Sequence, residues 1–127
     1  MIKVVAVIKA KPDLSRAEFL HFWNVEHPSY VRKLPGIVRY RQNPAIEHRK
    51  PWPYSGMAEL WFASVADVKA AYAGPEAKEL FDHEHHFLES VEWFLAEEVD
   101  VPLADVPYAG APLADAPLAG ARLTAGE

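Results

Sequence analysis

Hydrophobic positions in the first third of the chain follow two different periods. From Ile2 to Lys11, apolar and mostly β-branched residues occupy both sets of alternating positions, which is typical of a strand buried on both faces in its middle. From Ser15 to Leu34, apolar positions recur every three or four residues, as on one side of a helix. Ser15 and Glu18 form a capping box at its start. The chain therefore begins with a strand followed by an amphipathic helix.

One position on the apolar side of this helix is a histidine. His27 lies in register with Trp23 and Tyr30 and is followed by Pro28, which disfavours helical dihedrals in the residue before it. We therefore expect the helix to kink or break there. An imidazole held among aromatic side chains at a helix break is a candidate general acid or base. The alternative is a core histidine that bonds backbone carbonyls freed by the kink.

The following residues predict three more strands and two more helices. The resulting order β-α-β-β-α-β is that of the ferredoxin-like unit, an α+β fold with an antiparallel sheet and both helices on one face. Since the strands are apolar on their other face too, we expect a second copy to cover it, giving a homodimer. The strands are predicted over 37–43, 56–63 and 90–99, and the helices over 64–72 and 76–88.

A five-residue pattern with proline in register begins at Val101. Proline at every fifth position excludes a regular helix or a central strand, so 1–100 is predicted to be the folded domain and 101–127 a proline-rich C-terminal arm of extended or irregular chain. The arm is either a disordered tail or a segment that docks on a partner subunit through its regularly spaced apolar residues. Those residues are Leu103, Tyr108, Leu113 and Leu118.

Composition narrows the possible functions. The 127 residues contain no cysteine, which excludes disulfides, thiolate nucleophiles and cysteine-ligated metals. A net charge of −5 argues against general nucleic-acid binding. The apolar run in the first strand is too short for a signal peptide or a membrane span, so we expect a soluble cytoplasmic protein. A basic stretch over 32–50 indicates either a small-anion site or a solvated surface.

Residues that could take part in catalysis or ligand binding fall in three places. His27 is joined by Tyr40 and Asn43 on the second strand, and His48 lies in the proline-rich loop that follows. The third place is the histidine-rich cluster 82–87, where the spacing H-x-x-H without a third ligand is a weak metal signal. We expect a polar helix surface there, with His86 facing inward, and neither a metal nor a cofactor.

Four segments together resemble the EthD family within the dimeric α+β barrel superfamily. The resemblance covers residues 1 to about 100 and implies a ferredoxin-like protomer whose sheet packs against a second protomer. Similar relatives include muconolactone methylisomerases, polyketide cyclases and cofactor-free monooxygenases, so the fold alone does not select a reaction. The segments are FLHFWNVEHP at 19–28, PGIVRYRQN at 35–43, AELWF at 58–62 and FDHEHHFL at 81–88.

The resemblance also implies site residues. In methylisomerase-like relatives a histidine late in the first helix and a tyrosine on the second strand line the pocket, and these match His27 and Tyr40. A loop histidine matches His48. His27 would take a proton from an acidic carbon or phenol, and Tyr40 or His48 would stabilise the oxyanion. The residues predicted to contact the substrate are Trp23, Tyr30, Asn43, Trp61, His86 and Phe87.

These observations favour a cofactor-independent enzyme that acts on an aromatic or polyketide-like small molecule by proton transfer, with cyclisation, isomerisation or dehydration as the outcome. One alternative is a cofactor-free monooxygenase of an electron-rich aromatic. Another is a non-catalytic accessory or ligand-carrying dimer.

Overall fold

The computed structural model describes residues 1–104 of the chain. Within this part, strands and helical segments follow the predicted order, with each of the two helical positions divided into shorter segments. The predicted ferredoxin-like α+β fold is therefore confirmed. The elements are β1 (Ile2–Ala10), α1 (Arg16–Leu20), a π-helical segment (His21–Glu26), α2 (Pro28–Val31), β2 (Arg39–Pro44), β3 (Gly56–Phe62), α3 (Val65–Tyr72), α4 (Pro75–Phe87) and β4 (Leu88–Glu97).

The chain divides into two compact units, Met1–Glu97 and Glu98–Glu127. The first contains the strands and helices just given. Most of the predicted arm, including Tyr108, Leu113 and Leu118, lies outside the described residues. Its predicted conformation and docking therefore stay predictions.

The sheet has the strand order β2-β3-β1-β4, and each neighbouring pair is antiparallel. Val4 of β1 lies between Leu60 of β3 and Leu95 of β4, so these three side chains share a face. Val4 and Leu60 belong to the same buried cluster as Leu80 and Phe87 of α4. The helices therefore cover this face of the sheet and form the core with it.

The other face of the sheet is also apolar at its centre, as predicted. Val5 lies between Glu59 and Phe94 in the register of the strands. Val5 and Trp61 are buried, although neither belongs to the cluster beneath the helices. Phe94 is 55% exposed. This face thus combines buried apolar side chains with an exposed aromatic ring.

Two element boundaries differ from the predictions for identifiable reasons. The second strand begins at Arg39 and not at Ile37, because the N–H of Ile37 donates to the carbonyl of Leu34 and closes a turn. The last helix ends before Leu88, which has extended dihedrals and pairs with Ala10. A local turn therefore sets the first boundary, and pairing with the distant strand β1 sets the second.

The prediction that Pro28 moves His27 out of helical dihedrals is wrong, although one helical segment ends at Glu26 and the next begins at Pro28. His27 has helical dihedrals (φ −62°, ψ −34°), and its N–H donates over 2.9 Å to the carbonyl of Phe22, five residues earlier. This wider π-helical turn ends where Pro28 occupies the first position of α2, at which no N–H donor is needed. The chain therefore stays helical through the proline. Single π turns of this kind are frequent at functional sites.

Candidate active site

A cavity of about 40 Å³ lies between the sheet and the helices. Its sheet side is formed by small and branched apolar residues, and four polar side chains on different elements reach it. An ionisable group in such a water-poor space is stabilised only by specific partners. The apolar residues of the sheet are Val4, Ala6, Ile8, Ala58, Leu60 and Val91, and the polar ones are His27, Tyr40, Tyr72 and Glu84.

Trp23 forms part of the cavity wall, and its position depends on a glycine. The ring of Trp23 approaches Gly56 so closely that a Cβ there would lie 2.8 Å from the ring and 2.8 Å from the carbonyl oxygen of Asn43. A larger residue at position 56 would displace one of these groups. Gly56 therefore fixes how deeply Trp23 enters the space above the sheet.

The π-helical segment delivers His27 to the cavity, where it pairs with a second histidine. His27 is 3% exposed, and its Nδ1 lies 2.9 Å from Nδ1 of His83 on α4. The rings are stacked, with centroids 5.1 Å apart. Tyr30 also stacks on His83 at 4.4 Å, and Phe87 contacts both imidazoles with its ring. The histidine pair is thus enclosed by aromatic side chains.

Each imidazole also faces a carboxylate with its Nε2. Nε2 of His83 lies 3.3 Å from Glu26, and Nε2 of His27 lies 3.5 Å from Glu84 at the cavity. An ionised carboxylate accepts hydrogen bonds only, so the contact with Glu26 requires a proton on Nε2 of His83. Burial lowers the pKa of His83, which favours its neutral form. Neutral His83 then accepts at Nδ1, and His27 donates there.

This arrangement fixes the role of the nitrogen that faces the cavity. With the Nδ1 proton of His27 directed at His83, Nε2 is the atom of His27 that gains or loses a proton next to Glu84. The contact holds one proton in either of two states: a His27 imidazolium beside an ionised Glu84, or a neutral His27 beside a protonated Glu84. The pair can therefore act as an acid or as a base toward a third group in the cavity.

Tyr40 provides a neutral hydroxyl to the same cavity. Nε2 of Gln42 donates to the phenolic oxygen over 2.7 Å and also donates to the carbonyl of Trp23. Burial is the main cause that raises the pKa of Tyr40, to about 12. Burial likewise raises the pKa of Tyr72. Because its oxygen accepts from Gln42, the O–H of Tyr40 can donate to an oxyanion.

An outer cleft of about 430 Å³ adjoins the cavity between α4 and β4. Phe81, Glu84, Val91 and Trp93 line both spaces, so these residues form their common boundary. Trp93 is 54% exposed and Phe81 is 39% exposed. Two partly solvated aromatic side chains therefore separate the small inner space from the larger outer one.

Several residues predicted from the sequence share this region. His27, Tyr40 and Trp23 line the cavity itself. Tyr30 and Phe87 lie behind it, against the histidine pair. The structure thus brings together the helix and strand residues that the sequence analysis grouped with His27.

Trp61 and Asn43 lie on the opposite face of the sheet, because β3 pairs in register with β2 and alternate residues point to opposite sides. The amide of Asn43 donates there to Glu59 and to the carbonyl of Met57. Arg39 also lies on this face, with its guanidinium carbon 4.7 Å from the centroid of the Trp61 ring. Neither Trp61 nor Asn43 can therefore contact a molecule in the cavity beside His27.

His48 and His86 also lie apart from the cavity. His86 is exposed on α4, and the inward position that we predicted for it belongs to His83. His48 packs on Trp52 in the loop before β3 and lines a separate open cleft of about 660 Å³ near the start of α1. A role for His48 in the same chemistry as His27 would need a different structure of this loop.

His83, Glu84 and Tyr72 are site residues that the sequence analysis did not group with His27. A signal was present, because the buried positions of α4 are Ala77, Leu80, His83 and Phe87, with the spacing of one helix face. Following that face along the helix selects His83 over His86. What the sequence could not show is that His83 meets His27, which lies 56 residues away in the chain.

Within residues 1–104, no group of three or more His, Cys, Asp or Glu side chains is arranged to hold a metal ion. The same part of the chain has no helix with the length and apolar character needed to cross a membrane.

The fold and the site together define a class: ferredoxin-like α+β proteins with a buried histidine pair beside an apolar cavity. The model of the EthD domain matches residues 11–90, and the chain belongs to this family. None of the curated proteins matches the chain.

Solved structures share the fold at low sequence identity. An ethyl tert-butyl ether d (EthD) family protein from Bacillus halodurans is similar with a TM-score of 0.65 and 20% identity, over 78% of this chain and 99% of that one. A dimeric protein of unknown function with a ferredoxin-like fold from Bacteroides fragilis has a TM-score of 0.60 and 18% identity, over 76% of this chain and 95% of that one. SnoaB, a cofactor-independent oxygenase from Streptomyces nogalater, has a TM-score of 0.59 and 17% identity, over 79% of this chain and 94% of that one.

Proposed function

We propose that the protein is a cofactor-independent enzyme that transfers protons on an aromatic or polyketide-like small molecule, with cyclisation, isomerisation or dehydration as the outcome. The observation that carries this proposal is the position of His27, whose buried imidazole reaches an apolar cavity beside Glu84 and Tyr40. Nε2 of His27 removes a proton from an acidic carbon or phenol, and the Tyr40 hydroxyl stabilises the resulting oxyanion.

The size of the cavity restricts how a substrate binds. Sites for small organic ligands have volumes of about 300–1,000 Å³, so a cavity of about 40 Å³ admits only the reacting part of a ring system. The outer cleft of about 430 Å³ can hold the remainder. Phe81 and Trp93 must then rotate as the substrate enters, and their partial exposure gives them room to do so.

A cofactor-free monooxygenase is the second candidate function, because the fold is similar to that of a cofactor-independent oxygenase. The first step is the same removal of a proton by His27. The electron-rich carbanion then reduces dioxygen without help from a cofactor. For an anthrone the balanced reaction converts one anthrone and one O₂ into one anthraquinone and one water.

Anthrone is a suitable probe for both candidates, because its C10 hydrogens are acidic. Under argon in D₂O, the proposed proton transfer is expected to accelerate deuterium incorporation at C10, followed by proton NMR. In air, an oxygen electrode separates the candidates, since only the oxygenase consumes O₂. If a panel of anthrones, phenols and 1,3-dicarbonyls shows neither exchange nor oxygen uptake above the buffer rate, a ligand-carrying role replaces both.

Replacing Tyr40 with phenylalanine is expected to lower kcat for anthrone exchange by about 10²- to 10³-fold, the usual cost of one oxyanion donor. KM should change little, because the ring and its packing remain. The matched control is Tyr54→Phe, since Tyr54 lies at the separate cleft beside His48. Equal activity of the Tyr40 and Tyr54 variants would remove Tyr40 from the mechanism.

We further propose that the helix-free face of the sheet forms a homodimer interface. Phe94 on the edge strand β4 is 55% exposed on that face, next to the buried Val5 of β1. Phe94→Glu is expected to convert the dimer to monomers in analytical ultracentrifugation, because it places a charge in an apolar interface. Trp93→Glu, a change on the same strand but on the helix side, serves as the control. A Phe94→Glu protein that sediments as a dimer would contradict this interface.

A further inference from the structure

Four side chains form a continuous line from the protein surface to the cavity. Glu26 Oε1 lies 3.3 Å from His83 Nε2, the two Nδ1 atoms of His83 and His27 lie 2.9 Å apart, and His27 Nε2 lies 3.5 Å from Glu84 Oε2. The side chain of Glu26 is 41% exposed, whereas those of His83 and His27 are 6% and 4% exposed. The outer end of the line is therefore wet and its middle is dry.

Aromatic rings close the sides of this line. Phe22 and Phe87 stack on each other at 5.7 Å, and Phe87 contacts both imidazoles with its ring. Tyr30 stacks on His83 at 4.4 Å. Water therefore has little access to the two rings, and a proton that leaves His27 for solvent has the neighbouring imidazole as its nearest acceptor.

The outer carboxylate is held in place by a separate contact. The second oxygen of Glu26 lies 3.0 Å from Nε2 of His21, which is itself solvated. The ring of His86 lies at 6.2 Å from that of His83 and is exposed. Glu26, His21 and His86 are thus the ionisable groups near the outer end, and Glu84 is the one at the inner end.

We propose that Glu26, His83 and His27 form a proton relay that connects the cavity to solvent, with His83 as a positioning residue that acts through His27. This inference rests on the proposed function only for its use in turnover. A proton taken up at Nε2 of His27 releases the Nδ1 proton to Nδ1 of His83. The Nε2 proton of His83 then passes to Glu26, which exchanges it with water.

One proton enters this relay and one leaves it in each passage. Both imidazoles finish neutral, each with its proton on the other nitrogen, and no oxidant or further reactant is needed. The reverse sequence returns a proton to the product and restores the starting tautomers. His27 is therefore reset without opening the cavity to water.

The test uses protein with ¹⁵N-labelled histidine and follows exchange of the imidazole N–H protons of His27 and His83 with solvent by NMR. Glu26→Gln removes the outer proton acceptor. Because the side chain of Glu26 is half-exposed, the substitution leaves the core intact. It is expected to slow this exchange by about 10²-fold, the low end of what a positioned proton-transfer group contributes. Glu79→Gln, a change at an exposed carboxylate of α4, is the matched control and should leave it unchanged.

Formate provides a second, chemical readout. Added to the Glu26→Gln protein, this small carboxylate is expected to restore the exchange rate in proportion to its concentration, which a purely structural role of Glu26 would not produce. His83→Gln should slow the loss of the His27 N–H in the same way, without rescue by formate. Unchanged exchange in the Glu26→Gln protein would overturn the relay.

The outcomes separate the relay from the proposed function. If anthrone exchange requires His27 but is unaffected by Glu26→Gln and His83→Gln, the relay is wrong and the proposed function stands. If the NMR exchange depends on Glu26 while no acidic probe is turned over, the relay stands and the proposed function is wrong.

Discussion

Replacement of His27 by glutamine is expected to lower kcat/KM for anthrone exchange by about 10²- to 10⁴-fold, the contribution of a positioned proton-transfer group. Glutamine keeps polar atoms near His83 and Glu84 but cannot carry a proton between them. The measurement is the rate of deuterium incorporation at C10 across the pH range in which the folded protein is stable. The wild-type profile should contain an ionisation that disappears in the variant.

His48→Gln provides the control for this experiment. His48 was also a catalytic candidate in the sequence, but it lies at a separate cleft, so the His48→Gln protein should retain nearly full activity. A folded His27→Gln protein with unchanged turnover would exclude His27 as the acid or base. The accessory or ligand-carrying role would then become the leading hypothesis.

Phe87→Ala is expected to lower the free energy of unfolding by about 3–5 kcal/mol, the usual cost of removing a fully buried phenylalanine ring. Phe87 is 0% exposed, and its ring contacts Phe22, His27 and His83. The loss therefore combines transferred apolar area with a cavity beside two polar rings. Denaturant unfolding followed by circular dichroism measures it.

Phe81→Ala, on the same helix, is the matched control for stability. Phe81 is 39% exposed, and its removal should cost clearly less than that of Phe87, because less buried area is lost. Similar losses of stability for the two variants would mean that Phe87 does not hold α4 against the helical segments that carry Phe22 and His27. The comparison isolates burial, since the residue type and the helix are the same.

Alkaline conditions test the environment of Tyr40. Burial raises its pKa to about 12, so the unfolded chain ionises this phenol before the folded protein does. The corresponding stability is complete below the ordinary value of 10.0 and is lost as the pH rises through about 12.

Much of the fold was predictable because it depends on local patterns. The capping box of Ser15 and Glu18 is present as expected, and Ser64 caps the helix predicted over 64–72. Each cap uses groups only three residues apart. Apolar residues on both faces of β1 also followed from alternation. These features are set within a few residues and leave a clear trace in the sequence.

The site was predictable only in part, because it depends on contacts between distant elements. The helix face that holds His27 was evident, but the position of Trp61 relative to it required the register of β3 against β2. Recognising that His83 belongs to the site required knowing how α4 docks against the helical segments that carry His27. The continuous helix through Pro28 depended on a π turn that no local propensity reports.

That π turn also alters which residues lie above one another. Residues five apart in a regular helix differ by about 140° in direction, since each residue adds about 100°. Here the bond from His27 to Phe22 spans five residues, and both side chains contact Phe87. In a relative whose first helix is regular throughout, His27 would align with the position one residue earlier, so an accurate alignment of the two needs a one-residue gap within 21–26.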